Sequence, residues 1–302
     1  MKRVFLCLLF LLCLMSAAVT AQAAETDWYV DEVTKTLYIN GHGSTADIKP
    51  DGWKAEFNIH SVVIGEGITA IAEEAFSGCL YLETVQLPAS LTQIGARAFQ
   101  NTGLTEIVIP KGVKVIDERV FYQCDSLTKV ELHDGITNIG YEAFRKCRSL
   151  KKLDIPGSVQ GIVTNAFAEC SGLEEVRFRN GMTRLPGDEF YQCTSLRYLE
   201  IPDTVESLRY VYFTHLPALE TVRIGSGLKQ LFDGTFDGCT NLKRFEISPD
   251  NQNFCSIDGV IYSKDQTTLV RLPLGYEGTY EVVPGTLTIG ARAADGCVKL
   301  TG

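Results

Sequence analysis

Ten cysteines and four histidines are the residues of this chain with the widest chemical reach. Cysteine in such numbers can form disulfides, supply a thiolate nucleophile or build a tetrahedral metal site. Spacing argues against all three. Seven of the cysteines, Cys79, Cys124, Cys147, Cys170, Cys193, Cys239 and Cys297, stand three residues after a recurring Phe or its equivalent. Equivalent positions on stacked coils have parallel Cα–Cβ vectors, whereas a disulfide needs them to converge with a dihedral near 90°. These seven are therefore read as free, small buried hydrophobes, and Leu216 in one of the slots fits an apolar role. Cys255 lies outside the pattern and is left as a reactive or pairing thiol. No C-x-x-C occurs, and His42, His60, His133 and His215 share no ligand spacing with a Cys, so no metal or cofactor site is expected. The scattered histidines also suggest no Ser-His-Asp or Cys-His arrangement. The acidic pairs Glu73-Glu74, Asp117-Glu118 and Asp188-Glu189 are read as solvated turn residues rather than general acids. No glycine-rich phosphate loop is present, and the chain is read as non-catalytic.

The elements that position these residues follow from a repeat. Phe76, Phe99, Phe121, Phe144, Phe167, Phe190, Phe213 and Phe236 recur at steps of 23 residues, with one step of 22 after Phe99. Around each runs a frame close to I-G-x-x-A-F-x-x-C-x-x-L-x-x-V-x-I-P, as in Ile139-Gly140, Ala143-Phe144, Cys147, Leu150, Leu153 and Ile155-Pro156. A further frame begins at Ile289-Gly290, with Ala294 in the Phe position. L-x-x-V-x-I has the period-2 pattern of a strand, ended by Pro. The x-x-A-F-x-x-C stretch is too short for a free-standing helix and is expected to form one helical or 3₁₀ turn. One such unit cannot bury its apolar face alone, so the units must stack as coils whose strands form a parallel sheet.

At the outward site of that strand the coils carry Asp154, Arg177, Glu200, Arg223 and Glu246, alternating in sign. Lys151, Glu174, Arg197, Glu220 and Lys243 alternate in the same way. Stacked opposite charges pair across coils, so a salt-bridged sheet surface is expected, with a charged recognition face as the alternative. Tyr198, beside Arg177, Arg179 and Arg223, is the candidate ligand contact, because aromatic residues with Arg anchor many interfaces. Tyr210 and Tyr212, on the divergent coil around Phe213, are expected on the opposite side of the coil.

The first residues read Lys2-Arg3, an apolar run from Val4 to Met15, and Ala21-Gln22-Ala23, which is the pattern of a signal peptide cleaved after Ala23. Without it the chain keeps 26 basic against 37 acidic residues, a net charge of −11. That balance speaks against nucleic acid as a partner, and no stretch is long and apolar enough to span a bilayer.

The Ala-Phe pair, the Cys three residues later and the register of eight frames closely resemble the BspA-like, Treponema pallidum-type, leucine-rich repeats of bacterial surface and secreted proteins. The resemblance implies an α/β solenoid: a right-handed horseshoe of 22–23-residue coils with a parallel concave sheet and short helical or 3₁₀ turns on the convex side. With the leader pattern, the period and its break between Phe236 and Ala294, the organisation expected is signal peptide 1–23, N-terminal capping hairpin segment 24–59 (the part the resemblance supplies), leucine-rich repeat solenoid 60–247, β-hairpin insertion 248–284 and incomplete last repeat 285–302. Trp28, Ile39, Trp53 and Ile59 belong to the cap in this reading. The function implied is a secreted or cell-surface, adhesin-like module that binds an extracellular protein or glycan, such as a host matrix component. A structural spacer of a larger surface protein and a module attached to an enzyme with catalysis elsewhere are the alternatives. An uncapped final coil suggests truncation or end-to-end self-association.

Overall fold

Strand-forming L-x-x-V-x-I segments, repeated at a fixed interval, pair with their own copies in the computed structural model, which describes residues 27–47, 58–187 and 189–302. The leader segment, Trp53 and Asp188 lie outside those residues. Asp27–Asp31 and Thr36–Asn40 form an antiparallel hairpin, and Thr36–Asn40 pairs in parallel with Ser61–Ile64. From there the chain climbs coil by coil. Lys152–Ile155, Glu175–Phe178, Tyr198–Ile201, Thr221–Ile224 and Arg244–Ile247 make one continuous parallel sheet. Partners stand 23 residues apart, so Asp154, Arg177, Glu200, Arg223 and Glu246 lie side by side.

A second, shorter ladder was not foreseen. The Ile at the Ile-Gly position of the frame ends a brief strand, in Ile68–Ile71, Gln93–Ile94, Val115–Ile116, Asn138–Ile139 and Gly161–Ile162, although Gly itself follows only Ile94 and Ile139, and these strands too pair in parallel. Two-residue strands carry too little alternation to stand out in a sequence.

The Phe-centred turns are not helical, which corrects the α/β expectation. The molecule is a β-solenoid, and among the described residues the one 3₁₀ helix is Thr45–Asp47. The reason lies in the backbone. Residues two before and two after the Phe repeatedly take the left-handed conformation: Arg97 and Asn101, Arg119 and Gln123, Glu142 and Lys146, Asn165 and Glu169, with φ between 53° and 65°. A right-handed helix cannot pass through such residues. Left-handed backbone turns their N–H groups along the stacking axis. Arg119, Phe121 and Gln123 donate to the carbonyls of Tyr141, Ala143 and Arg145 in the next coil at 3.0, 2.8 and 2.8 Å.

Inside the coils the Phe rings stack, with centroids 5.2–5.8 Å apart from Phe76 through Phe190 and nearly parallel planes. The cysteines line the core beside them. All eight cysteines among the described residues are free thiols. They do more than fill space: Cys147, Cys170 and Cys193 donate through Sγ to the carbonyls of Phe121, Phe144 and Phe167 in the preceding coil at 3.1–3.2 Å. Burial pushes the Cys124 thiol up to about 11 and those of Cys170 and Cys239 up to about 12.

After Arg244–Ile247 the period breaks. Buried Asn251 donates to the carbonyls of Gly225 and Leu228 at 3.1 Å and accepts from Asn253 and Phe254. It thereby starts an antiparallel excursion through Phe254–Ile257, Val260–Ser263 and Thr268–Arg271. Thr268–Arg271 then pairs in parallel with Thr288–Ile289. Tyr262 fills a small second core there, its hydroxyl 2.7 Å from that of Tyr280.

Two outcomes are expected. Phe144→Ala removes one ring from the stack and should cost about 3–5 kcal/mol in denaturant unfolding, as large core truncations do; a loss under about 1 kcal/mol would show that the stack contributes little. Among the cysteines of the described residues in the native chain, a disulfide reagent should modify the half-buried Cys79 and Cys255 first, the other six reacting only on unfolding.

Candidate functional site

Outward side chains of the parallel strands and the turns that follow them form two adjoining grooves. One, of about 530 Å³, is lined by Asp154, Arg177, Arg179, Glu200, Asp203 and Arg223 among others. Tyr198 stands beside it rather than in its wall. Its ring lies 5.6 Å from the Arg177 guanidinium carbon, a cation–π distance. Its hydroxyl donates to Glu200 Oε2 at 3.2 Å. Burial, and then the Glu200 carboxylate, push the phenol above its ordinary value, so it remains a neutral donor. Glu200 in turn sits 3.7 Å from both Arg177 and Arg223. Three of the four predicted residues thus meet around one carboxylate. Arg179 is separate, the residue after the end of the Glu175–Phe178 strand, and pairs with Asp154 at 3.0 Å. The alternating charges do pair across coils, as Lys151 with Glu174 at 2.9 Å and Lys243 with Glu220 at 3.2 Å.

The larger groove, about 1,060 Å³, was missed in the sequence. It is lined by Lys111, Lys114, Lys129, Lys151, Lys152 and Arg179 against Glu131, Asp134 and Asp154. Overall acidity masks it, since the lysines are spread over three coils, with Arg179 on a fourth, and converge only on stacking. Lys129, Lys151 and Lys152 pair with Glu131, Glu174 and Glu175. Lys114 donates instead to the Lys111 carbonyl at 2.9 Å, and neither Lys111 nor Lys114 has a carboxylate partner among the described residues. His133, also in the wall, accepts from Gly135 N–H on Nδ1 and faces the Val113 carbonyl through Nε2, both at 3.0 Å. Those bonds define the Nε2–H tautomer and a structural role: the ring closes the strand end where other coils place Pro.

The turn face is built differently. Glu73, Arg97, Glu118, Arg119, Glu142, Arg145 and Glu169 form one chain of ion pairs across five coils. Glu73 and Glu118, read as merely solvated, are members of it. At its centre Glu142, only 2% exposed, is held by Arg119 and Arg145. Burial alone would raise its carboxyl, but hydrogen bonds from the two arginines outweigh it and hold the group below its ordinary value. Among the described residues no group of three or more His, Cys, Asp or Glu could hold a metal ion.

A family model described as a BspA type leucine rich repeat region, of 6 copies, matches residues 47–174 and 160–269. Among solved structures, a leucine-rich repeat protein of T. pallidum is 23% identical, covering 72% of this chain and 88% of that one, with a TM-score of 0.45. A leucine-rich repeat protein of Bacteroides ovatus is 20% identical over 93% of each chain, with a TM-score of 0.42. A leucine rich cell surface protein of Faecalibacterium prausnitzii is 18% identical over 95% of this chain and 96% of that one, with a TM-score of 0.35. No curated protein matches the sequence.

Glu142→Gln leaves two arginines facing a neutral amide. Breaking a buried pair costs roughly 3–5 kcal/mol, which the part-exposed arginines reduce to about 2 kcal/mol. Because the folded-state carboxyl is depressed, its stabilisation is fully present above the ordinary value of 4.5 and fades as pH falls below it. The gap between wild type and variant in urea unfolding should therefore narrow from pH 7 to pH 3. A constant gap would mean that Glu142 acts through packing.

Proposed function

The chain belongs to the BspA-type leucine-rich repeat family, and from that premise we propose that it is a non-catalytic extracellular binding module whose strand face takes an acidic partner. One observation carries the reading: on a chain with nine more acidic than basic residues, six cationic side chains converge on one groove. Lys111 and Lys114, without carboxylate partners, are the side chains with most to gain from an incoming anion. Arg177, Arg179, Arg223 and Tyr198 extend the surface along the same strands. They contribute less per residue, because Glu200 and Asp154 already neutralise the arginines. A broad, shallow groove suits an extended acidic glycan or protein segment better than a small metabolite. The secreted or cell-surface location rests on the leader pattern at Lys2-Arg3, Val4–Met15 and Ala21-Gln22-Ala23.

Immobilised heparin serves as the polyanionic probe. Binding should weaken steeply between about 50 and 300 mM salt as the Debye length shortens. Lys111→Glu with Lys114→Glu should weaken it at least about tenfold, ~1.4 kcal/mol, and Arg223→Ala by less. Unchanged affinity in the double variant removes the groove as the site. Failure of the wild type to bind any acidic glycan or acidic peptide favours the spacer role.

A further inference from the structure

The regular stack has one internal fault, between the coils of Phe190 and Phe213. Three axial ladders fail there together. The rings of Phe190 and Phe213 are 6.2 Å apart and tilted by 45°, where the preceding five contacts are stacked at 16° or less. Phe167 and Glu169 donate to the carbonyls of Glu189 and Tyr191, and Phe213 and His215 to those of Thr235 and Asp237. Among the described residues, Phe190 and Gln192 make no corresponding bond to the Phe213 coil. Leu216 occupies the cysteine slot of that coil, so no thiol reaches back to the Phe190 carbonyl. The ion-pair chain of the turn face has also ended, at Glu169.

A recess of about 320 Å³ lies at this fault, lined by Thr164, Asn165, Tyr191, Tyr212, Thr214 and His215 over the Phe190 and Phe213 rings. Its volume sits at the lower end of the ~300–1,000 Å³ range of small-ligand sites. Tyr191 is 59% exposed and Tyr212 43%, although each has a whole coil to pack against. None of the polar side chains of Thr164, Asn165, Thr214 or His215 has a hydrogen-bond partner among the described residues. His215 is held in place by its backbone, with a φ of 55° and its N–H on the Asp237 carbonyl at 2.8 Å. Its ring lies against Gly238, where a Cβ would come within 3.0 Å of it. Only Gly there leaves room for the ring.

We infer that this recess is a second binding site, for a neutral hexopyranose unit of a glycan, on the face opposite the lysine groove. Two tyrosines at the rim offer π faces to the axial C–H groups of a pyranose. The carboxamide, the two hydroxyls and the imidazole supply donors and acceptors for ring hydroxyls. No Lys, Arg, Asp or Glu lines the recess, which excludes a sulfated or carboxylated sugar as its preferred occupant. The fault follows from this use: a coil that stacked as the others do would close the space.

Titration of the mature chain with lactose and cellobiose, followed by saturation-transfer difference NMR, tests the site. Millimolar binding is expected, with saturation strongest at pyranose C–H protons. Tyr212→Ala should weaken it at least tenfold and Tyr212→Phe, which keeps the ring, only slightly. Asn165→Gly, which tolerates the φ of 63° and removes the carboxamide, should weaken it severalfold. Lys111→Glu with Lys114→Glu should leave disaccharide binding intact, and Tyr212→Ala should leave heparin binding intact, so the two sites fail separately. Absence of binding by both disaccharides at 50-fold molar excess and beyond, or wild-type affinity in Tyr212→Ala and Asn165→Gly with retained circular dichroism, overturns the assignment.

Discussion

Hydrogen bonds that run along the stacking axis from one Phe turn to the next are the constraint on which the rest of this structure depends. Left-handed residues two before and two after the Phe place their N–H groups in that direction, with the Phe N–H between them. Non-glycine residues adopt this conformation at a cost of roughly 1–2 kcal/mol each, offset where the same turn gains intercoil bonds, as at Arg97, Asn101, Arg119 and Gln123. The same geometry forbids a helix, fixes the coil spacing and brings successive Phe rings to stacking distance. Where those bonds lapse, between Phe190 and Phe213, the ring stack and the thiol contacts lapse as well.

Stacking at a fixed register turns a linear sequence into columns of equivalent residues. A column of alternating charge sets opposite charges side by side, so that Glu200 stands between Arg177 and Arg223 on the strand face. A column that departs from alternation becomes a patch. The lysine groove arises in this way, since Lys129, Lys151 and Lys152 lie on consecutive coils and Lys111 and Lys114 on the coil before. On the turn face Glu142 is enclosed between two arginines, Arg145 of its own turn and Arg119 of the preceding one, and this buried charge is stable because both are present.

What could be read in advance depended on periodicity. The eight Phe positions, the strand segments and the in-register outward charges are one-dimensional facts, and the pairing of Arg177 and Arg223 about Glu200 follows the spacing of 23. The short Ile ladder, the left-handed turn residues and the donor role of the cysteines leave no comparable mark. Arg, Glu, Gln and Lys at those turn positions have no special left-handed preference, and S–H donation depends on a carbonyl supplied by another coil. Tyr198 packs on Arg177 and donates to Glu200, while Arg179 pairs with Asp154 instead, a division that sequence spacing does not reveal.

Residue spacing alone sets the solenoid, its period, the residues that face inward and the sign alternation along the strands. The non-helical turns, the single groove formed by scattered lysines and the recess at the divergent coil arise only on stacking. Those outcomes depend on which backbone and side-chain groups meet across adjacent coils, and that meeting is set by local φ angles and packing rather than by distance along the chain.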